Sequence, residues 1–234
     1  MNNFFANDTS ESHYREWCQK RVNFIVGLFG TDYFQNKTII ELGCGMAFVS
    51  EELQKLGAKV TVADCREKTL EALTERFDDV VFLDQDSDWC FDRKFDIVLH
   101  WGVLYHLNNW QHDLYRVKKH LMHDDSLLLL EAEVIDSEDC EFEIKVLEDP
   151  IIWDQSLSGI GTRTSASRIE HCLFDLDMAW ARLDENKLNV GQVHTYDWKH
   201  DPMTTIGKPD HADRNLYSKG QFKEGLRRFW IVLK

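Results

Sequence analysis

The chain has 234 residues, 43% hydrophobic and 29% charged, with 27 Lys and Arg against 41 Asp and Glu for a formal net charge of −14. This length supports one sizeable core with appendages, and the acidic balance opposes a nucleic-acid partner, whose affinity comes largely from Lys and Arg neutralising phosphates. Apolar runs such as residues 127–130 are far too short to cross a bilayer, the first residues read as no export signal, and the six cysteines lack paired spacing, so a cytoplasmic chain with reduced thiols is expected.

In chain order, Asp8 and Glu11 form a capping-box pattern ahead of Tyr14, Cys18, Val22, Ile25 and Phe29. These recur at helical spacing until Gly30, so residues 1–37 read as an N-terminal helical extension. A strand over 38–42 runs into a glycine-rich turn, and 48–56 reads as a helix stopped by Gly57. A strand at 59–64, a helix at 68–77, strands at 80–84 and 95–101, a helix at 110–121 and a strand at 126–134 follow. Strands alternating with helices predict a doubly wound α/β fold with parallel strands, and 38–134 is its ligand-binding core.

The rhythm breaks over 135–164, where Pro150, Gly159, Gly161 and several acids mix with Phe142, Ile151, Ile152 and Trp153. A long irregular segment inside a compact domain is commonly functional, so it is read as a lid or substrate segment. The remainder, 165–234, carries a helix at 167–176 capped by Thr164 or Ser165, strands at 179–183 and 228–233, and a long polar loop over 199–225. The whole chain is read as a single domain.

Glu41 to Ala47, ELGCGMA, lies between a buried strand and a helix. Glycines there allow a sharp turn and let a ligand approach main-chain N–H groups at a helix N-terminus. The dinucleotide pattern GxGxxG is missed because Phe48 takes its third glycine position, and the Glu41 carboxylate would repel a pyrophosphate. It would attract a cationic ligand end instead, such as the amino group or sulfonium of S-adenosylmethionine. Asp64 ends the second strand at the spacing where an acid accepts both hydroxyls of a ribose, and Asp84, Gln85 and Asp86 after the third strand offer acceptors and donors to an adenine.

These residues resemble the motifs of class I S-adenosylmethionine-dependent methyltransferases over about 38–134. ELGCGMA is similar to their ExGxGxG, with Ala47 in place of the last glycine; VADC is similar to the second motif, and VVFLDQDS and FDIVLHWGVLYHL to the next two. The resemblance implies a Rossmann-like sheet of seven strands whose last strand is antiparallel. It also implies S-adenosylmethionine bound by Glu41, Gly43, Cys44, Gly45, Asp64, Cys65, Asp84, Gln85 and Asp86, with His100, Trp101 and Tyr105 lining the cofactor. GVLYH, residues 102–106, locally resembles the wobble-uridine carboxymethyltransferases of tRNA.

The expected activity is methyl transfer to an oxygen or nitrogen of a small molecule; the alternatives are a tRNA-modifying methyltransferase and a non-catalytic cofactor-binding regulator. Such a displacement requires alignment more than an enzyme nucleophile, although a hydroxyl acceptor also needs a base. His106 is the candidate base, and it can equally cap the next helix or fill space. His120 with His123, and the set His194, Asp197, His200, Asp201 and His211, reproduce no zinc spacing, so no metal is expected. Trp153, Tyr196, Trp198 and Trp230 can line an acceptor pocket or belong to the core.

Overall fold

A period of two along the strands determines how the sheet is covered. The computed structural model describes residues 8–135, 139–151, 155–183 and 226–234. Its strands are β1 (Thr38–Leu42), β2 (Lys59–Asp64), β3 (Val80–Phe82), β4 (Phe95–Trp101), β5 (Met122–Val134), β6 (Glu143–Leu147), β7 (Ile160–Thr164), β8 (Ala179–Leu183) and β9 (Leu226–Leu233). Seven of them form one sheet in the order β3-β2-β1-β4-β5-β9-β8. The pairs among β1 to β5 are parallel, and β9 runs antiparallel between β5 and β8. This is the doubly wound sheet with an antiparallel last strand, and its strand order reverses between β1 and β4, where such sheets bind ligands.

The helices are α1 (Asp8–Phe29), α2 (Phe48–Lys55), α3 (Glu67–Leu73), α4 (Trp110–Arg116) and α5 (Ala166–Asp175). Ile39, Ile97, Leu99, Leu127 and Leu129 pack with Val22, Phe24 and Ile25 of α1 and Val49 and Leu53 of α2. Their strand neighbours Ile40, Leu42, Val98, Leu128 and Leu130 pack with Leu114 of α4 and Ile169 and Leu173 of α5. The unbroken run Leu127 to Leu130 thus serves both faces, as expected of a strand buried on each side. No helix of the described residues is long and apolar enough to cross a membrane.

Several boundaries depart from the periodicity. The third helix stops at Leu73, with Thr74 Oγ1 donating to the Glu71 carbonyl, a local bond that competes with further helix. The fourth ends at Arg116 and widens into a π turn over Val117–Leu121, and β5 begins at Met122, ahead of the expected start. The largest departure concerns 135–164, read as irregular: it contains an antiparallel hairpin of β6 and β7, in register from Glu143↔Thr164 to Leu147↔Ile160. Ser165, whose Oγ accepts from Arg168 N at 3.1 Å, caps α5. Ile152, Trp153, Tyr196, Trp198, the histidines and acids at 194–211 and the loop 199–225 lie outside the described residues.

Candidate functional site

β1 ends in a turn that places Gly43, Gly45 and Ala47 at φ 58°, 51° and 53°. A positive φ costs an L-residue roughly 1 kcal/mol, which explains why glycine suits the position Ala47 holds. A Cβ on Gly43 would come 2.4 Å from Val103 Cγ2, so the β1 turn and the loop after β4 touch through that missing side chain. The turn is pinned to β2: Cys44 N donates to the Ala63 carbonyl at 3.0 Å and Gly45 N to Asp64 Oδ2 at 3.0 Å. Arg66 N donates to the other carboxylate oxygen, Asp64 Oδ1, at 2.9 Å. Burial raises the Asp64 pKa against these bonds. Burial likewise raises the thiols of Cys44, well above its usual value, and of Cys65, to about 11, so both stay protonated at neutral pH.

Glu41 is buried, and its Oε2 accepts from Ser50 Oγ at 2.5 Å and Ser50 N at 3.2 Å. It therefore caps the first turn of α2 as well as standing at the end of β1. Burial pushes its pKa up to about 7, outweighing the Ser50 bonds and the nearby Arg21 charge. Arg21, on α1, was not singled out by the sequence. Its guanidinium lies 3.8 Å from the Trp17 ring centroid and forms a buried ion pair with Glu131 of β5. A Cβ on Gly102 would come 2.9 Å from Arg21 Nη2, so α1 is held directly against the loop after β4.

After β3, Asp84 Oδ1 accepts from Asp86 N at 3.1 Å, and Asp86 Oδ1 accepts from Asn108 N at 2.8 Å and Asn109 N at 2.9 Å. The side chains of Gln85 and His100, both read as cofactor contacts, are turned instead toward Asp113 of α4. Gln85 Nε2 donates to Asp113 Oδ2 of α4 at 3.0 Å, and His100 Nε2 lies 2.8 Å from the same oxygen. The physical reason is strand parity: Ile97, Leu99 and Trp101 face α1, so Val98 and His100 face α4. Trp101 is buried with its ring 5.6 Å from that of Phe229, which makes it a core residue of the α1 face, and Trp230 lies in the opposite core.

Tyr105 and His106 lie in a 3₁₀ turn, Leu104–His106, whose last carbonyls would be left unpaired. The hairpin satisfies them. Arg163 Nη1 donates to the Tyr105 carbonyl at 2.7 Å, Thr162 Oγ1 to that of Leu107 at 2.7 Å, and Lys145 Nζ to that of Asn108. Glu148, just beyond β6, accepts from His106 Nδ1 at 2.7 Å, Arg163 Nη2 at 3.0 Å and Ser156 N at 2.6 Å. Burial alone would raise the Glu148 pKa, but the His106 hydrogen bond and the His106 and Arg163 charges outweigh it and hold it at about 2. At the hairpin tip, Arg66 Nη1 donates to the Pro150 carbonyl at 3.1 Å and Nη2 to that of Gln155 at 2.8 Å, while Ser158 Oγ reaches Asp86 Oδ2 at 3.3 Å. The segment read as a lid therefore touches the loops after β2, β3 and β4.

Among the described residues, Cys140, Glu141 and His171 bring metal-competent atoms within 4.8 Å of one another. The Glu141 carboxylate is already held by Arg168 at 2.9 Å, a cation that opposes a second one. His123 lies 3.6 Å from Asp96 rather than meeting His120 at a ligand set.

The strand order, with ligand-facing loops at the carboxyl ends of β1 to β4, defines a Rossmann-like methyltransferase architecture. A family model described as a methyltransferase domain matches residues 11–185, over half of the chain, and the protein belongs to that family. Among solved structures, an S-adenosylmethionine-dependent methyltransferase from Archaeoglobus fulgidus is similar at a TM-score of 0.56 and 15% identity, with 94% of each chain covered. The O-methyltransferase of a Brevibacillus brevis trans-AT polyketide multienzyme, in complex with S-adenosylhomocysteine, gives a TM-score of 0.58 at 15% identity, covering 91% of this chain and 72% of that one. Coclaurine N-methyltransferase, bound to N-methylheliamine and S-adenosylhomocysteine, gives 0.57 at 15% identity, covering 92% and 71%. At these identities the likeness is one of fold. No curated protein matches the sequence.

Proposed function

We propose that the protein is an S-adenosylmethionine-dependent methyltransferase acting on a small-molecule acceptor. The observation that carries this reading is Asp64, fixed at the end of β2 by the amides of Gly45 and Arg66, beside a glycine turn that meets the loop after β4. The donor set fits the cofactor: Asp64 suits ribose hydroxyls, the loop of Asp84 and Asp86 suits an adenine, and Glu41 offers an acceptor oxygen to the amino group of an amino-acid end. Gly43 and Gly102 give room to the Val103 and Arg21 side chains, which a Cβ at either position would strike, and so let the loops after β1 and β4 and helix α1 close on one another. When bound, S-adenosylmethionine supplies a methyl group on a sulfonium, whose sulfur leaves as a neutral thioether.

The chain's own part is to bind, orient and exclude water. The hairpin, tied to Arg66, Asp86 and the loop at 105–108, is suited to cover the site and to set acceptor specificity. A small-molecule acceptor accords with the net charge of −14, which works against tRNA. The test is transfer of labelled methyl from S-adenosylmethionine to a small-molecule metabolite extract and, separately, to total tRNA. Label in the small-molecule fraction is expected; label in tRNA alone would reverse the assignment, and binding without transfer to either would favour the regulatory alternative.

A further inference from the structure

Two consecutive peptide groups, those joining Leu107 to Asn108 and Asn108 to Asn109, are held at both ends. Their N–H groups donate to Asp86 Oδ1 at 2.8 and 2.9 Å, and their carbonyls accept from Thr162 Oγ1 at 2.7 Å and from Lys145 Nζ. We propose that Asp86 is a positioning residue that couples donor binding to the seating of the β6–β7 hairpin, and not an adenine contact, so that filling the adenine loop fastens the hairpin. This rests on the methyltransferase reading above, in which that loop takes the adenine and the hairpin faces the acceptor, and adds a defined link between the two.

Three observations carry it. First, a trans peptide group is planar, with its N–H and C=O pointing opposite ways, so one end cannot turn without the other. Asp86 therefore meets the hairpin donors through two rigid units side by side. At the second of them charge acts in one sense, with the Asp86 carboxylate at the N–H and the Lys145 ammonium at the carbonyl. Bonds to charged groups are the strong ones, and bonds in a chain polarise one another. Thr162 is fully buried, so the hairpin end of the first unit is shielded from water.

Second, the Asp86 carboxylate is already taken up by the protein. Its Oδ2 accepts from Ser158 Oγ of the hairpin at 3.3 Å, which with the two amides fills three of its about four acceptor positions. Asp84 is the acid left for the amino group of a purine. Its Oδ1 accepts from Asp86 N at 3.1 Å, and its Oδ2 makes no hydrogen bond among the described residues.

Third, the adenine loop cannot shift alone. Gln85 Nε2 donates to Asp113 Oδ2 of α4 at 3.0 Å, and Asp113 N donates to the Asn109 carbonyl at 3.1 Å, so residues 84–86 and the start of α4 lean on one another. The neighbouring loop makes a parallel link: Arg66 N holds Asp64 Oδ1, and its guanidinium holds the Pro150 and Gln155 carbonyls of the hairpin. A ligand seated between the loops after β2 and β3 thus bears on residues that hold the hairpin from two sides. Coupling between two binding equilibria is reciprocal, so what the donor adds to hairpin seating, an acceptor held by the seated hairpin returns as donor affinity.

Amide hydrogen exchange on the full chain, with S-adenosylhomocysteine as the probe, tests the link. In the wild type the amides of β6 and β7 should exchange at least about fivefold more slowly when the probe is bound, beyond any change in β8, which a gain in global stability would share. In Asp86→Ala, and in the isosteric Thr162→Val that cuts the same line at its other end, this gain should fall below about twofold. The preference for S-adenosylhomocysteine over S-inosylhomocysteine, measured by calorimetry, should be the same in Asp86→Ala as in the wild type, because the purine amino group belongs to Asp84. A wild-type hairpin that gains no more protection than β8, a result that needs no variant, overturns the proposal. So does a gain that persists in Asp86→Ala, or a purine preference lost in that variant, which would make Asp86 a direct contact. Failure of the wild type to bind S-adenosylhomocysteine would overturn the underlying methyltransferase reading instead.

Discussion

His100 and His106 stand on the same strand-to-loop segment, and each meets a carboxylate, Asp113 at 2.8 Å and Glu148 at 2.7 Å. The first pair is fully enclosed between the sheet and α4, with His100 and Asp113 both at 0% exposure. It shares its space with Gln85, and His100 Nδ1 and Asp113 Oδ1 find no partner among the described residues. The second pair has its acid sealed, at 3% exposure, and its imidazole partly exposed, at 20%. The same two functional groups thus sit in different surroundings according to whether the histidine lies on β4 or in the turn beyond it. A histidine on the strand faces the α4 core by parity, whereas one in the 3₁₀ turn beyond it is released from parity and offered to the hairpin.

If that contrast is right, substitution should separate activity from stability at the two sites. The largest effect is expected at the partly exposed histidine: if His106 is the base, His106→Gln should lower methyl transfer by about 10²- to 10⁴-fold while shifting unfolding free energy by less than about 1 kcal/mol, measured by denaturant titration beside the turnover assay. At the sealed pair the pattern should invert. Asp113→Ala leaves Gln85 and His100 buried without their acceptor and should cost about 1–3 kcal/mol of stability, with turnover per folded molecule preserved. Loss of activity in a fully folded Asp113→Ala protein would erase the distinction.

A smaller effect sharpens the contrast through two buried glutamates whose titrations shift in opposite directions. Glu41 has its pKa raised from 4.5 to about 7 by burial, so its contribution to stability is full below pH 4.5 and is lost as pH rises through about 7. Glu148 has its pKa lowered from 4.5 to about 2, so its contribution is present above pH 4.5 and is lost as pH falls through about 2. Relative to Glu41→Gln, the wild type should therefore lose stability between pH 4.5 and 7, and relative to Glu148→Gln it should lose stability between pH 4.5 and 2. Thermal midpoints across pH 2–8 for the three proteins check both signs.

The sequence made the sheet legible where strands are buried along nearly their whole length. The predicted 38–42, 59–64 and 95–101 are the observed β1, β2 and β4, because each is bounded by turn residues and filled with β-branched or aromatic side chains. The glycine turn and Asp64 were legible for the same reason, being neighbours of those strands. The hairpin was not. β6, EIKVL, buries Val146 while leaving Lys145 and Leu147 exposed, and β7, IGTRT, buries two threonines and the charged Arg163, so neither carries a hydrophobic period. Glu148 and Arg163 were missed with it, since a contact spanning 42 residues of chain between His106 and Glu148 leaves no local pattern. Arg21 was hidden among the polar positions of α1, its pairing with Glu131 lying 110 residues away. For His100, the alternation of Ile97, Leu99 and Trp101 already held the signal that would have turned its side chain toward α4.

The central claim, that the turn after β1 and the acid after β2 form a cofactor site, is tested most directly by calorimetric titration of S-adenosylmethionine into the wild type and into Asp64→Ala. Saturable binding by the wild type, weakened by about ten- to a hundredfold in the variant through loss of a charged acceptor worth roughly 1.5–3 kcal/mol, is the predicted result. No binding to the wild type, or equal affinity in the two proteins, would contradict it.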